Sequence, residues 1–294
     1  MGKTIENLGV LRAEIDAVDD ALHDLLIRRA EVTRSIARVK RSQGGDSKVP
    51  PAIHPAREAQ ILRRLLARHK GDLPRRVIVR IWREIMAASL QGQTRFQVHV
   101  FTGDNQSAFL DIAQAHFGSL TPVRAHPRAA AVVQECAEEI GSLGIVPLPD
   151  MEEAGVPWWA QLAPAGSPGP RIIAKLPFIV HPDENRPVAF AIGAVEQEPS
   201  GDDTTLLRIE TEAGLSRARL NTLLKTAGLE TSLVAAVQAT EKGDGAVLLA
   251  VNGFVSPDDS RLAAFKMAAG DQIVHLDLVG GYANPVLLVP QVPR

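Results

Sequence analysis

Arg29 occupies a position in the apolar stripe of a long helical pattern, where leucine or valine is the ordinary occupant. The stripe runs Leu8, Leu11, Ile15, Val18, Leu22, Leu25, Arg29, Val32, Ile36 and Val39 in alternating steps of three and four, a heptad-like seam. A guanidinium in such a seam is either half of a structural ion pair or part of an anion-binding site, because unpaired burial of a charge is strongly unfavourable. Lys40 lies about three turns further on and within roughly 20° of the same face. Taken alone, it would be a helix-terminal cation that complements the macrodipole. Arg12, by contrast, is turned about 100° away from Arg29, so one helix cannot aim all three cations at one ligand. It can pair with Asp16 four residues on, or serve a site from an antiparallel partner helix. Ser89 and Gln93 are also four apart, giving one helix face a hydroxyl and a carboxamide for neutral hydrogen bonds. Arg57 and Glu58 add a further guanidinium and carboxylate. Singly, Arg57, Glu58 and Ser89 are of types that cap helices or face solvent. As a set, these residues suit recognition of a small anion inside an otherwise apolar bundle.

The elements that must position them follow from the periodicity. Residues from about Ile5 to Arg41 keep one helical period without proline, a helix of roughly 55 Å. That exceeds the width of a domain built from residues 1–95, so its stripe needs a cover, most simply a second copy of itself. An intertwined helical homodimer is predicted. Gln43-Gly44-Gly45-Asp46-Ser47 and then Pro50-Pro51 end the helix. A second helix begins near Pro55, turns Ile61, Leu62, Leu65 and Leu66 inward, and stops at Gly71. Asp72, followed by Pro74, reads as the cap of a third helix. Its apolar face is Val77, Ile78, Ile81, Trp82, Ile85 and Met86, and it runs to about Gln93.

Beyond Arg95 the pattern changes. A strand at Gln97–Phe101, a helix at Ser107–Phe117 and a buried strand at Leu143–Leu148 indicate an α/β segment. An irregular excursion from Pro157 to Pro170 precedes strands at Ile172–Val180 and Val188–Val195, and Glu196–Asp203 reads as a linker. The rest alternates strand (Thr205–Thr211), helix (Ser216–Ala227), strand (Thr231–Thr240), a turn at Gly243-Asp244-Gly245, strand (Ala246–Val251), helix (Asp258–Ala269) and strand (Gln272–Leu278). This is a βαββαβ unit, predicted to form one antiparallel sheet backed by two helices. Three domains are expected, at 1–95, 96–198 and 199–294.

Composition narrows the function. Apolar and charged fractions of 45% and 22% are those of an ordinary globular chain. The N-terminus lacks the pattern of a secretory leader and no long uncharged apolar run occurs, so no membrane span and a cytoplasmic location are expected. A single cysteine, Cys136, excludes an internal disulfide framework, and no Cys/His spacing suggests a metal site. Residues 1–95 hold 19 basic against 11 acidic side chains, whereas the remainder holds 13 against 23. A basic domain ahead of an acidic one implies an anionic ligand for the first, either a nucleic acid or a small polycarboxylate. The cations at Arg63, Arg64, Arg68, Arg75, Arg76, Arg80 and Arg83 mostly read as a solvated helix face, and the aromatics that would stack bases are missing, so no nucleic acid is expected.

The first 95 residues closely resemble the all-helical class of chorismate mutases. The blocks that carry the likeness are Leu11-Arg12-Ala13-Glu14-Ile15-Asp16, Leu25-Leu26-Ile27-Arg28-Arg29-Ala30-Glu31, Val39-Lys40, Arg57-Glu58 and Arg83-Glu84-Ile85-Met86-Ala87-Ala88-Ser89-Leu90-Gln91-Gly92-Gln93. The resemblance implies the Claisen rearrangement of chorismate to prephenate in aromatic amino acid biosynthesis, leading to phenylalanine and tyrosine, with no cofactor. It implies Lys40 and Gln93 at the ether oxygen, and Arg29 with Arg12 from the other subunit at the carboxylates. Glu58 would take the ring hydroxyl, with Arg57 and Ser89 completing the pocket. The chain departs from the family at Ile53-His54-Pro55, where a further charged residue is common.

Residues 97–195 resemble a shortened prephenate dehydratase domain, an α/β lobe of the periplasmic-binding-protein type. The likeness rests on Leu143-Gly144-Ile145-Val146-Pro147-Leu148-Pro149 and Leu176-Pro177-Phe178-Ile179. The family's Asn-x-Thr-Arg-Phe motif falls at Asn185-Arg186-Pro187-Val188-Ala189-Phe190, where Pro187 and Val188 replace the Thr and Arg. Dehydratase activity is therefore expected to be absent. Residues 204–289 resemble an ACT regulatory domain, closing on Leu278-Val279-Gly280-Gly281-Tyr282. Its ligand loops depart from the family at Ala213-Gly214-Leu215-Ser216 and Val234-Ala235-Ala236-Val237, which favours a structural or dimerising role. The alternative to an enzyme is a non-catalytic module that binds a metabolite or regulates a partner enzyme of the same pathway.

Overall fold

The computed structural model describes residues 7–43, 53–93, 96–103, 106–139, 141–150, 156–182, 185–212, 215–237 and 245–288. The loop at 44–52, the Ala213-Gly214 turn and Gly243-Asp244 lie outside the described residues, as does the side chain of Lys40.

Three helices open the chain: α1 (Leu8–Gln43), α2 (Pro55–Arg68) and α3 (Arg75–Gln91). Pro55 starts α2 because the first helical position needs no N–H partner and favours a fixed φ. At α3 the expected Asp72 cap is not used. Pro74 stands at the N-cap position with extended ψ and makes no side-chain capping bond. Among the described residues the stripe of α1 meets almost nothing in its own chain, and Ile15, Leu22 and Leu25 are 61%, 54% and 61% exposed. The shared core of the helical domain is formed by Ala59, Leu62 and Leu66 of α2 with Val79 and Met86 of α3. Ile81, read as core from the sequence, is 43% exposed; the buried side of α3 is Ile78, Val79, Arg83, Met86, Ala87 and Leu90.

The next segment runs β1 (Val98–Phe101), α4 (Gln106–Phe117), β2 (Val123–His126), α5 (Ala129–Glu138), β3 (Leu143–Pro147), a short 3-10 turn at Trp158–Gln161, β4 (Arg171–Leu176), β5 (Ile179–Val180) and β6 (Ala189–Gly193). The strand expected at Ile172–Val180 is interrupted at Pro177, which cannot donate to a ladder. Strand β2 and helix α5 were not anticipated; β2 is only four residues long and half exposed, so its apolar signal is weak. The chain then gives β7 (Asp203–Thr211), α6 (Arg217–Thr226), β8 (Thr231–Val237), β9 (Gly245–Asn252), α7 (Ser260–Ala269), β10 (Ile273–Ala283) and β11 (Val286–Leu287).

Among the described residues, nine strands form one mixed sheet in the order β2-β1-β3-β6-β4-β10-β7-β9-β8, while β5 and β11 pair separately. Strand β1 runs parallel to both β2 and β3. The βαββαβ unit supplies the antiparallel block β10-β7-β9-β8, as its pattern predicts. Strands β4 and β10 join the two blocks in parallel, where Gly280 sits opposite Ile172. Gly280 has φ +106°, and a Cβ there would collide with the Ile172 backbone, so this junction requires glycine.

Strand alternation decides what each face of the last block buries. Leu207, Ile209, Val247, Leu249 and Val251 face Leu220, Leu224, Leu262 and Phe265 of α6 and α7. Leu206 and Leu248 point the other way, into a core with Val146, Trp158, Trp159, Phe190 and Ile192. The adjacent tryptophans of the irregular excursion are thus buried at 4% and 1% exposure, closing that core.

Candidate active site

Helix α1 presents Arg29 to α3. The Arg29 guanidinium donates through Nη1 to Ser89 Oγ at 2.9 Å, and the Ser89 hydroxyl in turn donates to the Ile85 carbonyl at 2.8 Å. Just past the end of α3, the Gln93 carboxamide Nε2 donates to the Ser89 carbonyl at 2.9 Å. Arg29, Ser89 and Gln93 therefore form one cluster where α1 crosses the end of α3. Partial burial pulls the Arg29 pKa down from its ordinary value, yet a guanidinium remains charged at any physiological pH. Its neighbour here is a hydroxyl, not a carboxylate; the cluster thus has the chemistry of an anion site, with a cation and neutral donors on one face.

Glu58 and Arg83 form a second cluster. Arg83 Nη1 donates to Glu58 Oε2 at 2.6 Å, and the Arg83 side chain is almost wholly buried while Glu58 is about one quarter exposed. Burial lowers the Arg83 pKa and the Glu58 carboxylate opposes that shift. Positions 83 and 89 are about 120° apart around α3, so the two clusters occupy different sides of that helix. Beside the ion pair lies a small cavity of about 30 Å³ between the helical domain and the sheet, lined in part by Pro55, Met86, His116, Ile173 and Phe178. That is space for a water or two. Desolvation, then the nearby Arg83 charge, hold His116 well below its ordinary pKa, so it is neutral at pH 7.

The remaining sequence candidates are placed as follows. Arg12 is exposed on α1, about 26 Å along the helix axis from Arg29, and cannot reach it within one chain. Arg57 is exposed and its Nη1 lies 3.5 Å from Gln60 Oε1, at the limit of a hydrogen bond. The Lys40 side chain lies outside the described residues. Five of the seven arginines in the basic run of α2 and α3 are exposed, whereas Arg63 is partly buried and Arg83 buried. Arg63 donates to the carbonyls of Ser200, Asp202 and Asn284, at 3.3, 2.7 and 2.9 Å. Arg83 had a readable signal: it interrupts the stripe Val79, Met86, Leu90 as Arg29 interrupts the stripe of α1.

Away from these clusters, His99 Nδ1 and His126 Nε2 are 2.9 Å apart and His99 Nε2 is 3.2 Å from Glu139. A carboxylate on one side makes the Nε2–H tautomer of His99 the fitting one, with His126 donating to its Nδ1. Burial first, then the Glu135 and Glu139 charges, push the Cys136 thiol up to about 12, which makes it unreactive. Among the described residues no group of three or more His, Cys, Asp or Glu could hold a metal ion, and no helix is long and apolar enough to cross a membrane.

Residues 11–94 match the family model for chorismate mutase type II. Two curated relatives are both described as bifunctional chorismate mutase/prephenate dehydratase. The one from Pseudomonas aeruginosa is 31% identical over 153 residues, covering 51% of this chain and 41% of the relative. The one from Aquifex aeolicus is 29% identical over 161 residues, covering 52% of this chain and 41% of the relative. The chain thus matches well under two thirds of the length of these relatives. A solved prephenate dehydratase from Streptococcus mutans aligns over 66% of this chain and all of its own, at 15% identity and a TM-score of 0.45, too distant to bear on function.

Proposed function

We propose that the helical domain is a chorismate mutase that works as a homodimer, rearranging chorismate to prephenate in aromatic amino acid biosynthesis. The observation that carries this reading is the Arg29, Ser89 and Gln93 cluster, set in a segment matching the chorismate mutase type II model. A Claisen rearrangement is pericyclic and needs no general acid, base or nucleophile. The protein contributes positioning and a field matched to the developing charge. Arg29 binds one substrate carboxylate and the partner subunit's Arg12 the other. Lys40 and Gln93 donate to the ether oxygen as its bond to carbon breaks, an interaction stronger in the transition state than in the ground state. Gln93 Nε2, bonded to the Ser89 carbonyl in this structure, turns from the backbone to that oxygen. The resemblance alone assigns the ring hydroxyl to Glu58, which meets α3 on a different side from Ser89 within one chain, and Ser89 and Arg57 complete the pocket.

The exposed seam of α1 supports the dimer. A second α1 laid against Ile15, Leu22 and Leu25 removes that apolar surface from water and brings a foreign Arg12 to each Arg29. We further propose that residues 199–294 act as a structural, ACT-like unit and that the central lobe does not dehydrate prephenate. Pro187 and Val188, ahead of β6, supply neither a hydroxyl nor a guanidinium where the resemblance needs them. The test is an assay of the purified full chain for loss of chorismate, with prephenate and phenylpyruvate measured separately. Prephenate without phenylpyruvate is expected. Lys40→Ala with unchanged turnover would overturn the assigned mechanism.

A further inference from the structure

We propose that Phe178, on the central lobe, is a positioning residue for the mutase site, acting through Arg83 on Glu58. This rests on the mutase reading above and gives the lobe a task other than dehydration. Phe178 lies between β4 and β5 but is buried in the core of the helical domain, at 7% exposure among Ala59, Leu62, Leu66, Val79 and Met86. Its ring sits near two guanidinium groups, 5.9 Å from Arg63 Cζ on α2 and 5.6 Å from Arg83 Cζ on α3. Both distances are within cation–π range, and the interaction strengthens where water is excluded.

The platform behind Phe178 is fixed. Its carbonyl accepts from the Val286 amide at 2.8 Å, and β5 pairs with β11. Arg63 anchors α2 to the same end of the sheet through the Ser200, Asp202 and Asn284 carbonyls and the Ser200 hydroxyl. Helices α2 and α3 are thus held against the lobe at the point where Arg83 meets Glu58. A buried guanidinium with one carboxylate partner keeps a defined geometry only while water stays out, and the Phe178 ring covers it. With Oε2 held by Arg83, the Glu58 carboxylate has a fixed orientation from which its other oxygen can accept a ligand hydroxyl. An unanchored glutamate in the first turn of α2 would lose rotamer entropy on binding; Glu58 has largely lost it already.

The experiment is a double-mutant cycle on the full chain, measuring kcat and KM for chorismate in the parent, Phe178→Leu, Glu58→Gln and the double variant. Phe178→Leu should lower kcat/KM about five-fold in the parent, mainly through KM, and less than about two-fold on the Glu58→Gln background. Equal losses on both backgrounds would mean that Phe178 contributes only general packing, and the proposal would be wrong. No loss on introducing Phe178→Leu into the parent, or no loss from Glu58→Gln by itself, would also overturn it. Arg83→Lys, run through the same cycle, covers the case in which Phe178→Leu does not fold and should show the same dependence on Glu58. A parent chain with no mutase turnover would refute the mutase reading itself, an outcome distinct from turnover that ignores Phe178.

Discussion

Two arginines on apolar stripes met different fates. Arg29 faces a hydroxyl and is left able to receive an anion, whereas Arg83 is committed to Glu58. Arg29→Ala should lower kcat/KM for chorismate about a hundred-fold or more, the scale of removing one charged donor from a preorganised site, with the melting temperature nearly unchanged. Arg83→Ala should instead lower stability measurably, because it strands the Glu58 carboxylate at a part-buried position. Differential scanning calorimetry beside the kinetic assay separates the two. Arg29 was legible because it interrupts an apolar stripe, and Ser89 with Gln93 because a spacing of four puts them on one face; only the resemblance joined the two sets. The tie between Glu58 and Arg83 was not legible, since it depends on the crossing of two helices. His116 adds a pH signature. Its pKa is depressed in the folded state, so below about pH 6.5 the unfolded chain takes up a proton that the native chain refuses. Stability should fall as the pH drops through that region, and thermal melts from pH 7.5 to 5.5 should show a shallower slope for His116→Gln.

At the level of elements, α1 departs furthest from an ordinary helix. Its 36 residues extend for about 54 Å with apolar side chains left in solvent. Leu22→Lys, placed in the seam and away from the proposed ligand contacts, should shift the chain towards monomer in analytical ultracentrifugation and lower mutase activity with it. A monomer that retained full activity would contradict the shared site. The long helix, the two shorter ones and the βαββαβ order were readable because each has a strong period or a proline and glycine boundary. Strand β2 and helix α5 were missed for the opposite reason. Arg124 and Ala125 are exposed in β2, and the alanines opening α5 carry little periodic contrast.

Across the whole molecule, the sequence reads as three units in a row, yet the last two share a single sheet and the first leans on both. The seam between β4 and β10 is invisible in sequence because it joins strands a hundred residues apart through one glycine. Gly280→Ala should therefore cost more than an ordinary glycine substitution, through both a strained φ and a clash with Ile172, and should lower the melting temperature by several degrees. Arg12 and Arg29 lie too far apart on one rigid helix to serve one ligand together, and this has a consequence for inheritance as well as for catalysis. Arg12→Ala and Arg29→Ala chains should each be inactive alone but rescue one another when unfolded and refolded together. Half of the randomly assorted pairs would carry one unbroken pocket and one doubly damaged pocket, restoring about a quarter of the parental activity. Two defective copies expressed in one cell would then complement, and a single defective copy beside a normal one would be only partly harmful.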